Sequence, residues 1–420
     1  GEFGPDGDAD IIKCGSYTAT NGTALDVDLG FEPQWVMVKR YDSSGYWWIQ
    51  DSMRGWGAEN SGDSQKYLQA NDTAAEKTKS TDGLVLTSTG FTVPATSGDF
   101  NSNGDYIYIA IRRGPMAVPE SATDVFVTRY RGEDAVSQPP MFYSGWPVDM
   151  ALQRSDVTST SENRFSTRLT GHYFLDASTT EAEQTGASSY TFDYQDGWVN
   201  ATGNVTTYRS WMWRRAPNFL DVVAYTGTGS NQTISHNLGV APKFMIVKER
   251  TTANNWVCYL EALGNDKRMG LNAASAVATD TTAWQSTTPT DSAFYVGANT
   301  QTNVSGEEFI AYLFGEVAGI SKFGTYTGTG AAQNIDCGFS SGARFVLTKT
   351  YAGTNPNADW NIWDSERGIV AGNDPYLALN STSAQVASAD VIDPYSSGFS
   401  LTSSGVANNS GTSYWFYAIA

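Results

Sequence analysis

Cysteine is nearly missing from this sequence: Cys14, Cys258 and Cys337 are the only three in 420 residues. They are odd in number, far apart and without a C-x-x-C pair. That excludes a disulfide framework and a zinc knuckle, and leaves buried free thiols as the reading. Histidine is scarcer still, with His172 and His236 alone. Neither belongs to an H-E-x-x-H motif, and G-x-S-x-G and phosphate-loop strings are missing too. Charged residues make up 17% of the chain, below the usual quarter or so. The balance is acidic, formally −18, which repels a polyanion such as nucleic acid. The pairs Arg112-Arg113 and Arg214-Arg215 are too short to line a phosphate groove and read as module boundaries. No apolar run approaches the roughly 20 residues of a membrane-spanning helix, so no membrane insertion is expected. No cofactor is expected either. Long helical periods are missing, and residues 73–79 offer one turn at most.

Glycine, serine, threonine and asparagine are abundant, and aromatics reach 13%. That much apolar surface argues against disorder. The organising feature is a stretch written more than once. Residues 322–349 repeat the pattern of 221–248 and 13–39, and a worn copy lies at 125–153 with Tyr130-x-Gly132 and the turn Gly145-Trp146-Pro147. Tyr17, Tyr130, Tyr225 and Tyr326 stand about a hundred residues apart, which is a domain length and not a solenoid period. Four modules follow, at 11–113, 121–215 (the divergent one), 219–318 and 321–420. Each ends in an aromatic-rich strand, such as Tyr414-Trp415-Phe416-Tyr417. Short alternating strands with Asn-Gly turns point to an all-β fold, a tandem array of four β-sandwich or jelly-roll-like modules. Linkers of a few residues suggest a stiff row.

The copies can be compared with one another. Trp47, Trp256 and Trp360 fall at one position and are expected in the core. Alternation then sends Trp48, Tyr259 and Trp363 to the opposite face. A flat ring there stacks on a sugar or packs against a neighbouring module or subunit, and the second reading is the stronger. Lys39, Lys248 and Lys349 recur, with Gln153 in the worn copy, near Asp51/Arg54 and Asp364/Arg367. A Lys/Asp/Arg anion site is one reading. A turn ion pair is the better one, because module 3 lacks the Asp and module 2 the Lys. Asp99, Asn101 and Asn103 match half of a calcium loop, but Ala110 stands where the bidentate Glu belongs. The other copies carry Asn303-Val304-Ser305-Gly306 and Asn408-Asn409-Ser410-Gly411 there, so a hairpin turn is the better reading. Asp6, Asp8 and Asp10 form a similarly weak oxygen cluster.

The strings His236-Asn237-Leu238-Gly239-Val240-Ala241-Pro242, Tyr326-Thr327-Gly328-Thr329-Gly330, Asp336-Cys337-Gly338-Phe339 and Asp364-Ser365-x-Arg367-Gly368 resemble the repeated β-rich modules of tail proteins from marine bacteriophages and cyanophages. The resemblance covers essentially the whole chain. It implies a virion tail component, assembled in the host cytoplasm. Its role would be a tail fibre or receptor-binding adhesin contacting a host cell-surface glycan or protein receptor and other tail proteins. By the habit of viral fibres it implies a homotrimer. It brings no catalytic residues, and a non-enzymatic protein is expected. A purely structural tail or neck component anchoring another adhesin is the alternative. A glycan depolymerase is third: it needs two carboxylates at hydrolase separation, and Glu307/Glu308 or Asp149/Asp156 have no spacing argument behind them.

Overall fold

Successive side chains of a strand point to opposite faces of the sheet, and both faces are used here. A computed structural model describes residues 11–58, 65–79, 83–114, 117–131, 139–156, 160–186, 190–200, 207–354, 358–403 and 405–420. The fold is all-β and entirely antiparallel. In module 1 the first strand, Ile12–Ala19, pairs with the last, Gly104–Arg112. The last strand pairs in turn with Pro33–Arg40, and Trp47–Asp51, Gln65–Gln69 and Lys77–Lys79 follow outward. Lys77–Lys79 is thus an edge strand where a helical turn was expected. The same strand order recurs in sheets drawn from residues 126–213, 220–314 and 321–419. A smaller sheet covers one face of each large one: Leu25–Asp28 with Gly90–Val93 and Val85–Thr87 in module 1, and Gln232–Ser235 with Ala293–Val296 in module 3.

Between the two sheets lies each module's own core. In module 3 it holds Val223, Met245, Val247, Tyr259, Trp284 and Phe294, all at most 2% exposed. Two clamps recur at the open end. Tyr17, Tyr225 and Tyr326 donate their hydroxyls to the carbonyls of Phe100, Thr302 and Ala407 (3.0, 2.6 and 2.7 Å). The asparagine that follows each carbonyl, Asn101, Asn303 or Asn408, is buried and donates Nδ2 to two loop carbonyls. Turns reuse one device as well: Asp28 and Asp336 accept the amides of Gly30 and Gly338 (2.9 and 2.8 Å), glycines at φ 74° and 70° where a side chain would be strained.

The opposite face of each large sheet sets the architecture. In modules 2, 3 and 4 it is also apolar, and these faces pack together into a core continuous across the modules. Phe165 meets Trp256 at 5.3 Å, Phe244 meets Trp415 at 4.8 Å, and Phe126 meets Phe345 at 5.3 Å between ring centroids. Trp256 of module 3 donates Nε1–H to the carbonyl of Asp176 in module 2 (3.0 Å). Trp360 of module 4 donates to Gly270 of module 3 (2.8 Å). Module 2 has Asn163 at that position, and it joins Arg154 in donating to Ala378 of module 4 (3.4 and 3.3 Å). Strand register makes the three acceptor carbonyls equivalent. Modules 2, 3 and 4 therefore close head to tail into a ring of approximate three-fold symmetry, not a row. Each fully buried tryptophan removes roughly 200 Å² from water, about 5 kcal/mol of gross hydrophobic stabilisation.

Module 1 lies outside this ring, against modules 2 and 3. Ala58 donates its amide to Leu169 O (3.0 Å), and Asn237 Nδ2 donates to Ser88 O (2.9 Å). The approach at Gly57 is so close that a Cβ there would stand 2.3 Å from Leu169 O.

Candidate functional site

The two tryptophan series exchange places relative to the sequence reading. Trp48, Tyr259 and Trp363, expected to face outward, are 7%, 1% and 0% exposed and point into the core between the sheets of their own modules. Trp256 and Trp360, expected in that core, sit between modules instead, and Trp47 is half-exposed. Alternation correctly assigned opposite faces. It could not tell which face is the module's interior, because both are apolar. Register also corrects the worn copy by one residue. Arg154, not Gln153, stands at the position of Lys39, Lys248 and Lys349, and Arg131, not Tyr130, at that of Tyr17. Gly132 and the Asp6, Asp8 and Asp10 cluster lie outside the described residues.

The calcium candidates do not converge on one site. Asn101 Nδ2 donates to Thr23 O and Pro94 O, while its buried Oδ1 has no hydrogen-bond partner among the described residues. Asn103 Oδ1 accepts the amide of Asn21 (2.9 Å), and Asp99 is partly exposed. Among the described residues no group of three His, Cys, Asp or Glu is placed to hold a metal. The Asp-Ser-x-Arg turns form ion pairs, Arg54 with Asp51 and Arg367 with Asp364 (2.7 and 2.6 Å). In module 4 the pair is wholly buried, and Asp364 also accepts Trp211 Nε1–H from module 2 (3.0 Å).

Two sites emerge that sequence reading did not assemble. The first is a buried charged hub where modules 1, 2 and 3 meet. Arg215 forks onto both oxygens of Glu32 and reaches Asp221 through Nε (2.8 Å). Arg113 approaches Glu32 (3.4 Å), and Arg168 approaches Asp149 (3.5 Å), whose other oxygen accepts the Arg215 amide (2.8 Å). Three guanidinium groups thus balance three carboxylates, each at least 87% buried. Burial opposes charge on Asp221, but Arg215, Arg113 and the Asn237 amide outweigh it and hold the carboxyl below its ordinary range. The same carboxylates hold Arg215 above its ordinary value against the effect of burial.

The second is a groove of about 560 Å³ between modules 1 and 3. Its walls are the outward positions of the two small sheets. Asp26 and Asp28 flank the inward Val27, and Thr233 and Ser235 flank the inward Ile234. Thr87, Ser88 and Thr92 complete the module 1 wall. Thr92 donates to Asp26 Oδ1 (2.6 Å), and Asn237 ties the two modules together beside the groove. At the Arg250 end of the lining the guanidinium is 2% exposed and neutralised by Glu183 (2.7 Å) and Glu308 (3.2 Å). The lining is therefore rich in hydroxyls and carboxylates, with its one cation already paired. It offers donors and acceptors to a hydroxylated ligand and repels an anion. A cue in the sequence was the polar alternate position of the second strand in each copy.

The proposed carboxylate pairs are dispersed. Asp149 belongs to the hub, Asp156 accepts the Tyr130 hydroxyl (2.7 Å), Glu308 pairs with Arg250, and Glu307 accepts the Thr251 hydroxyl. His236 is 5% exposed, and its Nδ1 accepts the Leu238 amide (3.2 Å). Burial pushes its pKa down. Cys258 and Cys337 are buried thiols whose pKa burial raises, the second to about 12, whereas Cys14 is exposed.

A search of curated proteins returns no match. One family model, described as a domain of unknown function (DUF7483), matches residues 11–115 and 153–420. It passes over the start of module 2, the copy whose pattern is most worn. Covering most of the chain, with modules 1, 3 and 4 and the larger part of module 2, this match makes the protein a member of the DUF7483 family.

Proposed function

We propose that the protein is a non-enzymatic virion tail protein, a tail fibre or receptor-binding adhesin, and that the groove between modules 1 and 3 takes a glycan of the host envelope. The observation that carries this reading is the lining of that groove: hydroxyl and carboxylate side chains with a single, already neutralised cation. Sugars offer hydroxyls that such a wall can match, and many weak sites on one virion multiply into avidity. The modular resemblance to phage tail proteins points the same way.

The test is binding of the purified chain to an array of bacterial envelope polysaccharides, alongside Ser235→Trp, which fills the groove from an exposed position. Saturable binding that Ser235→Trp removes, with no release of reducing ends, is expected. Binding that survives Ser235→Trp would remove the groove from the proposal. Cleavage would turn the protein into a depolymerase, and failure to bind any glycan would leave a structural tail role.

A further inference from the structure

We propose that three copies of this chain associate through module 1, whose large sheets close into a ring of the kind that modules 2, 3 and 4 form within one chain. The same face of the sheet is treated in two ways in this molecule. In module 3 the outer positions Leu220, Ile310 and Phe314 are 1%, 0% and 3% exposed, covered by modules 2 and 4. The register-equivalent residues of module 1 are Ile12, Ile107 and Ile111. They are 40%, 38% and 37% exposed; Ile12 stands opposite Ile111 on the paired strand, and Ile107 lies further along the same face, opposite Ser16. Trp256 and Trp360 are sealed and hydrogen-bonded to a neighbouring module, while their counterpart Trp47 is half-exposed.

The occupant follows from the geometry of the interface already present. It is head to tail: one module's Trp donates to a carbonyl on the fifth strand of the next, and the rotation closes after three. A heterologous contact of this kind builds closed rings, not two-fold dimers. Module 1 owns both halves, the donor Trp47 and the acceptor carbonyl of Gln69, which is register-equivalent to Gly270 and Ala378. Asp176 and Ala378 each accept a turn amide three residues on as well as the bond from the neighbouring module; Gln69 already accepts the equivalent amide from Asp72 (3.0 Å). Its second lone pair is the one the ring uses. Module 1 docks onto modules 2 and 3 through its Glu32 and Leu86 side, so the isoleucine face of the large sheet stays available to two further copies.

Sedimentation velocity and native mass spectrometry of the full chain at micromolar concentration test this, with Ile107→Glu and Ile111→Glu beside the wild type. Both side chains are exposed in the single chain, so circular dichroism is expected to stay unchanged in the variants. The wild type is expected at three times the 45.4 kDa of one chain, and each variant at 45.4 kDa. Cys14 lies on this face opposite Ile109, and the other two cysteines are buried. A maleimide is therefore expected to label the variants quickly and the wild type slowly. A monomeric wild type, a dimer, or a trimer that survives Ile107→Glu would each overturn the proposal. None of these readouts involves glycan binding, so the outcome is independent of the adhesin reading.

Discussion

Replacing Arg215 with methionine removes the central cation of the hub and leaves Glu32 and Asp221 buried with reduced compensation. Glu32 keeps Arg113 at 3.4 Å, and Asp221 keeps the amide of Asn237 at 2.7 Å. Breaking a buried pair by removing one partner costs about 3–5 kcal/mol. With part of the compensation retained on both sides, a loss near 4 kcal/mol is expected. Urea denaturation at pH 7, followed by tryptophan fluorescence and by circular dichroism, measures it. Because the hub joins modules 1, 2 and 3, the variant is also expected to separate the two transitions, with module 1 released first. Glu32→Gln completes a double-mutant cycle. Its cost in the Arg215→Met background should fall by about 2 kcal/mol. The acid limb supplies a further check. A carboxyl held below its ordinary value contributes stability above the unfolded pKa near 4, lost as pH falls through the folded value. Asp221 is such a group, so the gap between wild type and variant should narrow below pH 4. A loss under about 1 kcal/mol, or strictly additive costs in the cycle, would refute the reasoning.

Two further outcomes follow from the recurring positions. Burial lowers Lys248 and Lys349 to about 8, below the ordinary 10.5. The unfolded chain then binds more protons than the folded one between these values, so stability rises with pH there. A gain of about 1 kcal/mol per lysine is expected from pH 8 to 9. The raised thiol pKa values of Cys258 and Cys337 oppose this rise as pH passes the ordinary thiol range, because the unfolded thiols ionise first. Lys349→Met should remove half of the rise, and a flat profile from 8 to 9 would contradict the account. Asn303→Ala strips the loop carbonyls of Ser230 and Gly297, the second of them buried, of their donor. Thermal denaturation should show a loss of about 2–3 kcal/mol. Adding calcium or EDTA to the wild type should leave the melting temperature where it is. A calcium-dependent rise would return Asp99, Asn101 and Asn103 to a ligand role.

The all-β class and the recurring Trp47, Trp256 and Trp360 positions were legible because they rest on periodicity, a local property of the chain. The facing of those tryptophans was not. Periodicity separates two faces but names neither, and here the module's outer face is as apolar as its core. The worn copy misled for a related reason. Gln153 and Tyr130 match the other copies by residue type, while register is fixed by pairing with Tyr208–Trp213, far along the chain from both. The hub lay beyond sequence reasoning altogether. Arg215 meets Glu32 across 183 residues of chain, and nothing in either neighbourhood marks the partnership. Arg112-Arg113 and Arg214-Arg215 were noticed as boundary features, and their burial together is what that location produces. The groove was half legible. Its polar alternate positions were visible in each copy, but its shape comes from how module 1 leans on module 3.

The closed ring also sets an order of events during synthesis. Arg154 finds its acceptor at Ser383, 229 residues further on, and Trp211 finds Asp364 only after 153. At about 5–20 residues per second, module 2 exists for roughly 10–45 s before the segment that seals it has been made. Throughout that interval the apolar face bearing Phe126, Trp211 and Trp213 stands open on the nascent chain. A second ribosome on the same message carries the same open face at the same time. The last module therefore does for its own chain what a chaperone would otherwise have to do: it occupies the face of module 2 before a neighbour's module can.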